Sequence, residues 1–148
     1  MNYPSGDPHG LKRFVDAQED VYDRVCAELR SGSKNSHWMW FIFPQLRGLG
    51  TSAMAVKFGI SSIQEATAYL EHPILGPRLR ECTRLVVSVE GRSIHQILGY
   101  PDDLKFRSCV TLFSRATPDN EVFLNALQKY FGGEADELTV HRLSSLSA

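Results

Sequence analysis

Apolar residues recur at three- and four-residue spacing through most of the chain, with polar and charged residues between them. The first such run begins at Leu11, continues through Phe14 and Leu29, and ends near Arg30. This period is typical of one apolar face of an amphipathic helix. It predicts a single long helix, which Gly32 would end.

Capping residues, glycines and prolines divide the rest of the chain into further helices. Two capping boxes, Ser62 with Glu65 and Ser93 with Gln96, mark two of the helix starts. The pattern predicts helices over residues 37–43, 52–58, 63–72, 77–90, 94–98, 103–114 and 119–131, and a terminal turn or short helix over residues 136–143. A strand is the alternative for the aromatic residues 37–43 and for the valine-rich residues 85–89.

Together these elements predict an all-α fold, a compact single-domain bundle of seven to nine short and medium helices around a central tryptophan-rich segment. The length of 148 residues suits one domain, and an apolar fraction of 43% is enough for one core. We expect the helical domain to span residues 11–143, between a flexible N-terminal tail (residues 1–10) and a C-terminal tail (residues 144–148).

Composition and charge exclude several classes of function. Sixteen basic side chains face seventeen acidic ones, so no overall field favours nucleic acid or an anionic membrane. The chain has no signal-peptide pattern and no apolar run that would span a bilayer, so we expect a cytoplasmic protein. Cys26, Cys82 and Cys109 lie far apart among apolar residues, which predicts buried thiols without a disulfide framework. No two histidines have metal-ligand spacing, so we expect neither a metal site nor a cofactor.

The most unusual segment is SHWMWFIFPQLRGLGTSAMA, residues 36–55, which holds both tryptophans of the chain. A helix that is apolar on every side is buried on every side, so polar residues of other helices should satisfy its indole N–H groups. Trp38 and Trp40 are then core residues or, alternatively, the aromatic wall of a site for a flat ligand. His37 starts this helix, where the helix dipole favours a neutral imidazole. It is a candidate acid or base, or a structural hydrogen-bond partner.

The loop after this segment is a candidate anion site. Its polar and glycine residues precede the amides of a new helix, and the candidates are Gln45, Arg47, Gly48, Gly50 and Ser52. Glycines let the backbone approach a ligand, free amides at a helix start attract anions, and a guanidinium suits phosphate or carboxylate. The alternative is an ordinary turn with a hydroxyl as the helix cap. The spacing matches neither a Walker A loop nor a dinucleotide-binding motif.

A second polar cluster opens the next long helix. Asp102 and Asp103 lie at its start, where acids are favourable, and Asp103 with Arg107 is a stabilising i,i+4 pair. In the functional interpretation one of the aspartates is a base, and Lys105 and Ser108 contact the same ligand. Adjacent helix positions point about 100° apart, so at most one aspartate would face a pocket.

A bacterial family known as domain of unknown function 1810 is similar to this chain in the segments FVDAQ, KNSHWMWFIFPQLRGLG, AYLEHP and DDLK. The resemblance extends from Leu11 to about Leu143 and implies an all-helical single domain. Some members carry the label calpastatin, but nothing in this chain supports inhibition of a calcium protease. The family implies no established activity and no catalytic residues. Residues 68–79 and 99–113 also resemble helical proteins that cleave N-glycosidic bonds of ADP-ribose-like or riboflavin-pathway intermediates.

These residues predict a site between residues 38–52 and the helix that begins near Asp102. Its ligand would be a phosphorylated, nucleotide-like small molecule that stacks on a tryptophan and places its phosphate on Arg47 and the loop amides. His37 or Asp103 would transfer protons, and N-glycosidic hydrolysis is the most concrete reaction. The alternative is a non-enzymatic protein-interaction module with a structural aromatic core, which predicts an exposed apolar patch instead of a pocket. Whether the protein is an enzyme and how many copies assemble stay open.

Overall fold

The computed structural model describes residues 6–147, and this part of the chain contains ten helices joined by loops. In chain order they are α1 (Lys12–Gln18), α2 (Tyr22–Arg30), α3 (Met39–Ile42), α4 (Ala53–Lys57), α5 (Ile63–Glu71), α6 (Leu75–Ser88), α7 (Ile94–Leu98), α8 (Asp102–Ser114), α9 (Glu121–Phe131) and α10 (Glu137–Ser147). The all-α prediction is therefore confirmed, with ten helices in the described residues where seven to nine were expected. Both segments for which a strand was the alternative are helical, in α3 and α6. Within residues 6–147 the only extended pairing is one isolated parallel bridge between Leu46 and Ile60.

The first helix is divided in two, so the prediction of one long helix from Leu11 to Arg30 was wrong. The chain turns after Gln18, whose side chain is buried and donates to the Phe41 carbonyl oxygen at 2.7 Å. Arg78 of α6 donates to the other amide atom of Gln18, its Oε1, at 3.3 Å. A polar side chain at the end of α1 thus fixes α1 against α3 and α6. That tertiary contact has no periodic signal in the sequence.

The core lies around α8, which packs against α5, α7, α9 and α10. Its side chains are buried on nearly every side between Phe106 and Ser114. The tryptophan segment is buried only in part, since Trp38, Ile42 and Phe43 are each at most 2% exposed whereas Trp40 is half-buried. The three cysteines are also buried and free, as the sequence predicted.

All three guanidinium nitrogens of Arg13 donate hydrogen bonds, and one of them, Nη2, joins α1 to the start of α5. Its Nη2 lies 2.8 Å from Glu65 Oε2, and Glu65 is 2% exposed. The remaining hydrogen bonds of Arg13 go to the carbonyl oxygens of His9, Gly10, Lys57 and Gly59. A buried carboxylate requires such a partner, because an unpaired buried charge is strongly destabilising.

The two expected tails differ in what the structure describes. Residues 1–5 of the N-terminal tail lie outside the described residues. Asp7 accepts the backbone N–H groups of Leu11 and Lys12, so it caps α1. At the other end α10 continues to Ser147, through residues 144–147 of the expected tail. In the described residues no helix is both long and apolar enough to cross a bilayer.

Candidate functional site

Trp38 lies in the core, where its indole has a charged partner. Its Nε1 donates to Glu28 Oε1 on α2 at 2.9 Å, and the residue is 1% exposed. Glu28 also accepts from the backbone N–H groups of Asn35 and Ser36 and from the Ser36 hydroxyl. Burial alone would raise the pKa of Glu28, but these donors hold it at about 2. Trp38 therefore helps to fix the segment that leads into α3.

Trp40, the second tryptophan, is half-buried and lines a narrow slot. The Nζ of Lys105, on α8, lies 5.0 Å from the centroid of the Trp40 ring, which is cation–π geometry. The slot has a volume of ≈ 10 Å³ and is lined by Met39, Trp40, Phe43, Gln45, Ala55, Phe58, Gly59 and Lys105. It is an apolar space with two polar side chains on its wall.

A larger concavity of ≈ 310 Å³ lies between the loop that holds Gln45 and Gly50, the start of α8 and the start of α10. Its lining comprises Gln45, Leu49, Gly50, Pro101, Leu104, Lys105, Arg107, Ser108, Asp136 and Leu138. The structure thus brings together the two stretches that the sequence analysis singled out. Four of the candidate residues share this lining, namely Gln45, Gly50, Lys105 and Ser108.

Gln45 and Lys105 belong to both linings, so they separate the slot from the larger concavity. A Cβ added at Gly50 would lie 3.4 Å from Gln45 Nε2 and 3.0 Å from the Cβ of Ala55. A side chain at Gly50 would therefore crowd Ala55, whereas it would make only ordinary contact with the Gln45 amide.

Charges alternate along the edge of this site. The Nζ of Lys34 lies 2.9 Å from Asp102 Oδ2, and the Nζ of Lys105 lies 3.8 Å from Asp102 Oδ1. The Lys34 ammonium also lies 5.0 Å from the centroid of the Trp38 ring. Because one carboxylate faces two ammonium groups, this cluster carries a net positive charge at the wall of the concavity.

The other charged residues of the lining are Asp136 and Arg107, and each has a contact with the backbone. Asp136 Oδ2 accepts from the backbone N–H and the hydroxyl of Thr139, so it caps α10. Arg107 Nε donates to the carbonyl oxygen of Glu134, which leaves its terminal nitrogens for other partners. The lining therefore holds the two cations Lys105 and Arg107 and the one carboxylate of Asp136, so cations outnumber anions in it.

Arg47 and Gly48 face α10 and do not line the concavity. Arg142 Nε donates to the Arg47 carbonyl oxygen at 2.6 Å, while the Arg47 side chain reaches the Gly59 carbonyl oxygen at 3.3 Å. Gly48 has φ +101°, and a Cβ there would lie 2.4 Å from the Arg142 guanidinium carbon. The missing side chain at Gly48 therefore makes room for the guanidinium group of Arg142.

Ser52 acts as a helix cap, which was the alternative interpretation of this residue. Its hydroxyl accepts the backbone N–H of Ala55 at 3.1 Å. Helix α4 has only five residues, so its start adds little dipole to attract an anion. Ser52 lies outside the linings of the slot and the larger concavity.

His37 and Asp103, the candidates for proton transfer, do not meet. His37 is exposed and lies two residues before the first residue of α3, whereas the sequence placed it at the helix start, because Trp38 is the N-cap. Asp103 Oδ2 lies 3.3 Å from His95 Nδ1, and its Oδ1 accepts the backbone N–H of Leu104. Neither residue lines the slot or the larger concavity.

Several lining residues were missed by the sequence analysis. Pro101 and Leu104 share one face of α8 with Lys105 and Ser108, since these positions follow i, i+3, i+4, i+7 spacing. Helical spacing from the two identified residues could therefore have found them. Leu138, on α10, has no such signal, because only tertiary packing brings α10 against α8.

Comparisons with known proteins give a family and a structural relative. A family model described as "Protein of unknown function (DUF1810)" matches residues 8–143. The crystal structure of the conserved hypothetical protein Rv1873 from Mycobacterium tuberculosis is similar to this chain, with 60% sequence identity and a TM-score of 0.92. The match covers 93% of this chain and 99% of that one. A comparison with curated proteins finds no match.

Proposed function

We propose that this chain, which belongs to the DUF1810 family of proteins of unknown function, binds a small phosphorylated, nucleotide-like metabolite. The observation that carries the proposal is the shared wall of Gln45 and Lys105, with an apolar slot on one side and, on the other, a larger concavity that has cationic and uncharged polar side chains among its apolar ones. A nucleotide-like molecule has the same two parts, a flat ring and an anionic group.

The larger concavity suits the anionic group. Its ≈ 310 Å³ lies at the lower end of the volumes typical of small-molecule sites. Lys105 and Arg107 supply positive charge, and charge-assisted hydrogen bonds to phosphate are stronger than neutral ones. Gln45 and Ser108 add uncharged polar groups that orient a ligand. On the other side of the shared wall, Trp40 supplies an aromatic face for a flat ring.

Binding, and not N-glycosidic hydrolysis, is the proposed activity. Hydrolysis of that bond needs a group at the reacting atoms that handles protons. The carboxylate of the lining, Asp136, is held by Thr139, while Asp103 faces His95 outside the lining. His37 also lies outside it. These contacts support a site that holds a ligand.

A thermal-shift screen against nucleotides and phosphorylated sugars tests the proposal. A ligand that binds only the native state raises the melting temperature by mass action. Leu104→Trp should abolish the shift, because Leu104 lines the concavity and a larger side chain would fill it. Leu124→Trp is the matched control, since Leu124 is 48% exposed on α9, Leu104 is 50% exposed on α8, and Leu124 lies outside the lining. A screen without a shift, or a shift that survives Leu104→Trp, would refute the proposal.

A second candidate function is the protein-interaction module, and exposed apolar residues favour it. Tyr100, Leu104 and Leu138 are 72%, 50% and 68% exposed. Leu104 and Leu138 lie on the lining of the concavity. Exposed apolar groups of this kind mark partner surfaces as well as ligand sites. This candidate predicts that no compound of the screen stabilises the wild-type protein, so the same experiment separates the two functions.

A further inference from the structure

The slot beside Trp40 is too small for a ring while Lys105 lies on its wall. Its volume of ≈ 10 Å³ is close to the space that one water molecule needs. The wall residues Gln45 and Lys105 also line the larger concavity. Movement of one of these side chains would therefore join the two spaces.

Lys105 is a charged wall residue that is held only by weak contacts. Its Nζ lies 3.8 Å from Asp102 Oδ1, whereas the Nζ of Lys34 lies 2.9 Å from the other oxygen of the same carboxylate. Asp102 is thus already neutralised by Lys34. The second contact of Lys105 is the Trp40 ring at 5.0 Å, and its side chain is 25% exposed. Partly exposed ion pairs and cation–π contacts are weak, and the lysine stem is flexible.

We propose that Lys105 determines the ligand specificity of this site by making entry of the ring depend on the anionic group. A phosphate in the larger concavity draws the ammonium group of Lys105 away from Trp40, and the flat ring of the same ligand then occupies the space against Trp40. The inference rests on the proposed function and narrows the ligand to a compact anion joined to a flat ring. A nucleoside monophosphate is the simplest member of this class.

A neutral ring compound lacks the group that moves Lys105. It must displace the ammonium from Trp40 and Asp102 without offering a new partner, so its binding is penalised. The same residue thus favours the phosphorylated compound and disfavours the neutral one. A residue that only contributed general positive charge would strengthen binding of the phosphorylated compound without weakening binding of the neutral one.

Titration with adenosine monophosphate and with adenosine, followed by calorimetry and by tryptophan fluorescence, tests this dependence. The wild-type protein should bind the monophosphate at least about tenfold more tightly, which corresponds to about 1.4 kcal/mol. Lys105→Ala should weaken binding of the monophosphate and strengthen binding of adenosine, so that the ratio of the two affinities falls towards the part that Arg107 still supplies. Alanine suits a helix interior, so the variant should fold.

Two further variants separate charge from occlusion. Lys105→Met removes the charge but keeps an unbranched side chain beside Trp40, so it should weaken the monophosphate preference without gaining affinity for adenosine. Lys12→Ala is the control, because Lys12 is a helical lysine paired with a carboxylate, Asp16, outside the linings of both spaces. It should leave both affinities unchanged. Fluorescence should respond through Trp40, since Trp38 is buried against Glu28.

Three outcomes would overturn the inference. They are equal wild-type affinities for the two compounds, an unchanged ratio in Lys105→Ala, and no binding of either compound at millimolar concentration. If another compound of the screen raises the melting temperature and Leu104→Trp abolishes that shift, the proposed function survives each of these outcomes. If no compound binds, the proposed function fails as well.

Discussion

Glu28→Gln removes the charge of the buried carboxylate that holds the tryptophan segment and keeps the shape of its side chain. Glu28 is 8% exposed and accepts four hydrogen bonds from Asn35, Ser36 and Trp38. Because the segment leads directly into α3, loss of this carboxylate should destabilise the fold and loosen one wall of the candidate site.

The magnitude follows from the pKa of Glu28, which falls from 4.5 to about 2. Each unit corresponds to about 1.4 kcal/mol, so the carboxylate contributes about 3 kcal/mol to the free energy of unfolding at neutral pH. The folded pKa lies below the unfolded one. The contribution is therefore complete above the unfolded value and is lost as the pH falls towards the folded value. The difference between the two proteins should be about 2 kcal/mol smaller near pH 3 than near pH 7.

Urea unfolding of both proteins at a series of pH values measures this difference. Other carboxylates titrate in both proteins, so their contributions cancel. Glu19→Gln, at an exposed position, is the control and should change stability by less than about 0.5 kcal/mol. A difference between wild type and Glu28→Gln that stays constant from neutral to acidic pH would refute the reasoning.

Three further substitutions test other contacts. Arg13→Ala should cost about 3–5 kcal/mol in urea unfolding, because it leaves the buried Glu65 carboxylate without its cation; a loss below 1 kcal/mol would contradict this account. Gly76→Ala should cost at least about 1–3 kcal/mol, because its Cβ would lie 2.0 Å from a carbonyl oxygen of α5. Gly48→Ala should displace Arg142 and accelerate hydrogen exchange in α10 while α9 keeps its protection. If the substitution changes the exchange rates of α9 and α10 equally, Arg142 does not hold α10.

Some of the candidate site residues chosen from the sequence line the concavity and others do not, and the difference has one cause. Sequence reasoning selected Gln45, Gly50, Lys105 and Ser108 because polar and glycine residues cluster there, and these residues do share one lining. The same reasoning assigned Arg47 to the ligand, whereas the structure places it beside α10. A loop residue can point to either side of the chain, and local sequence does not determine which.

Local sequence determined the helices of this protein, because periodicity, capping boxes and glycine stops act within a few residues. It also determined that the apolar part of the tryptophan segment around Trp38 and Phe43 is buried, since apolar side chains are poorly solvated by water. Only the tertiary structure decided that Glu28 accepts the indole N–H of Trp38, that the first helix breaks at Gln18, and that α10 completes the concavity. These are contacts between residues distant along the chain, so they depend on how the helices pack.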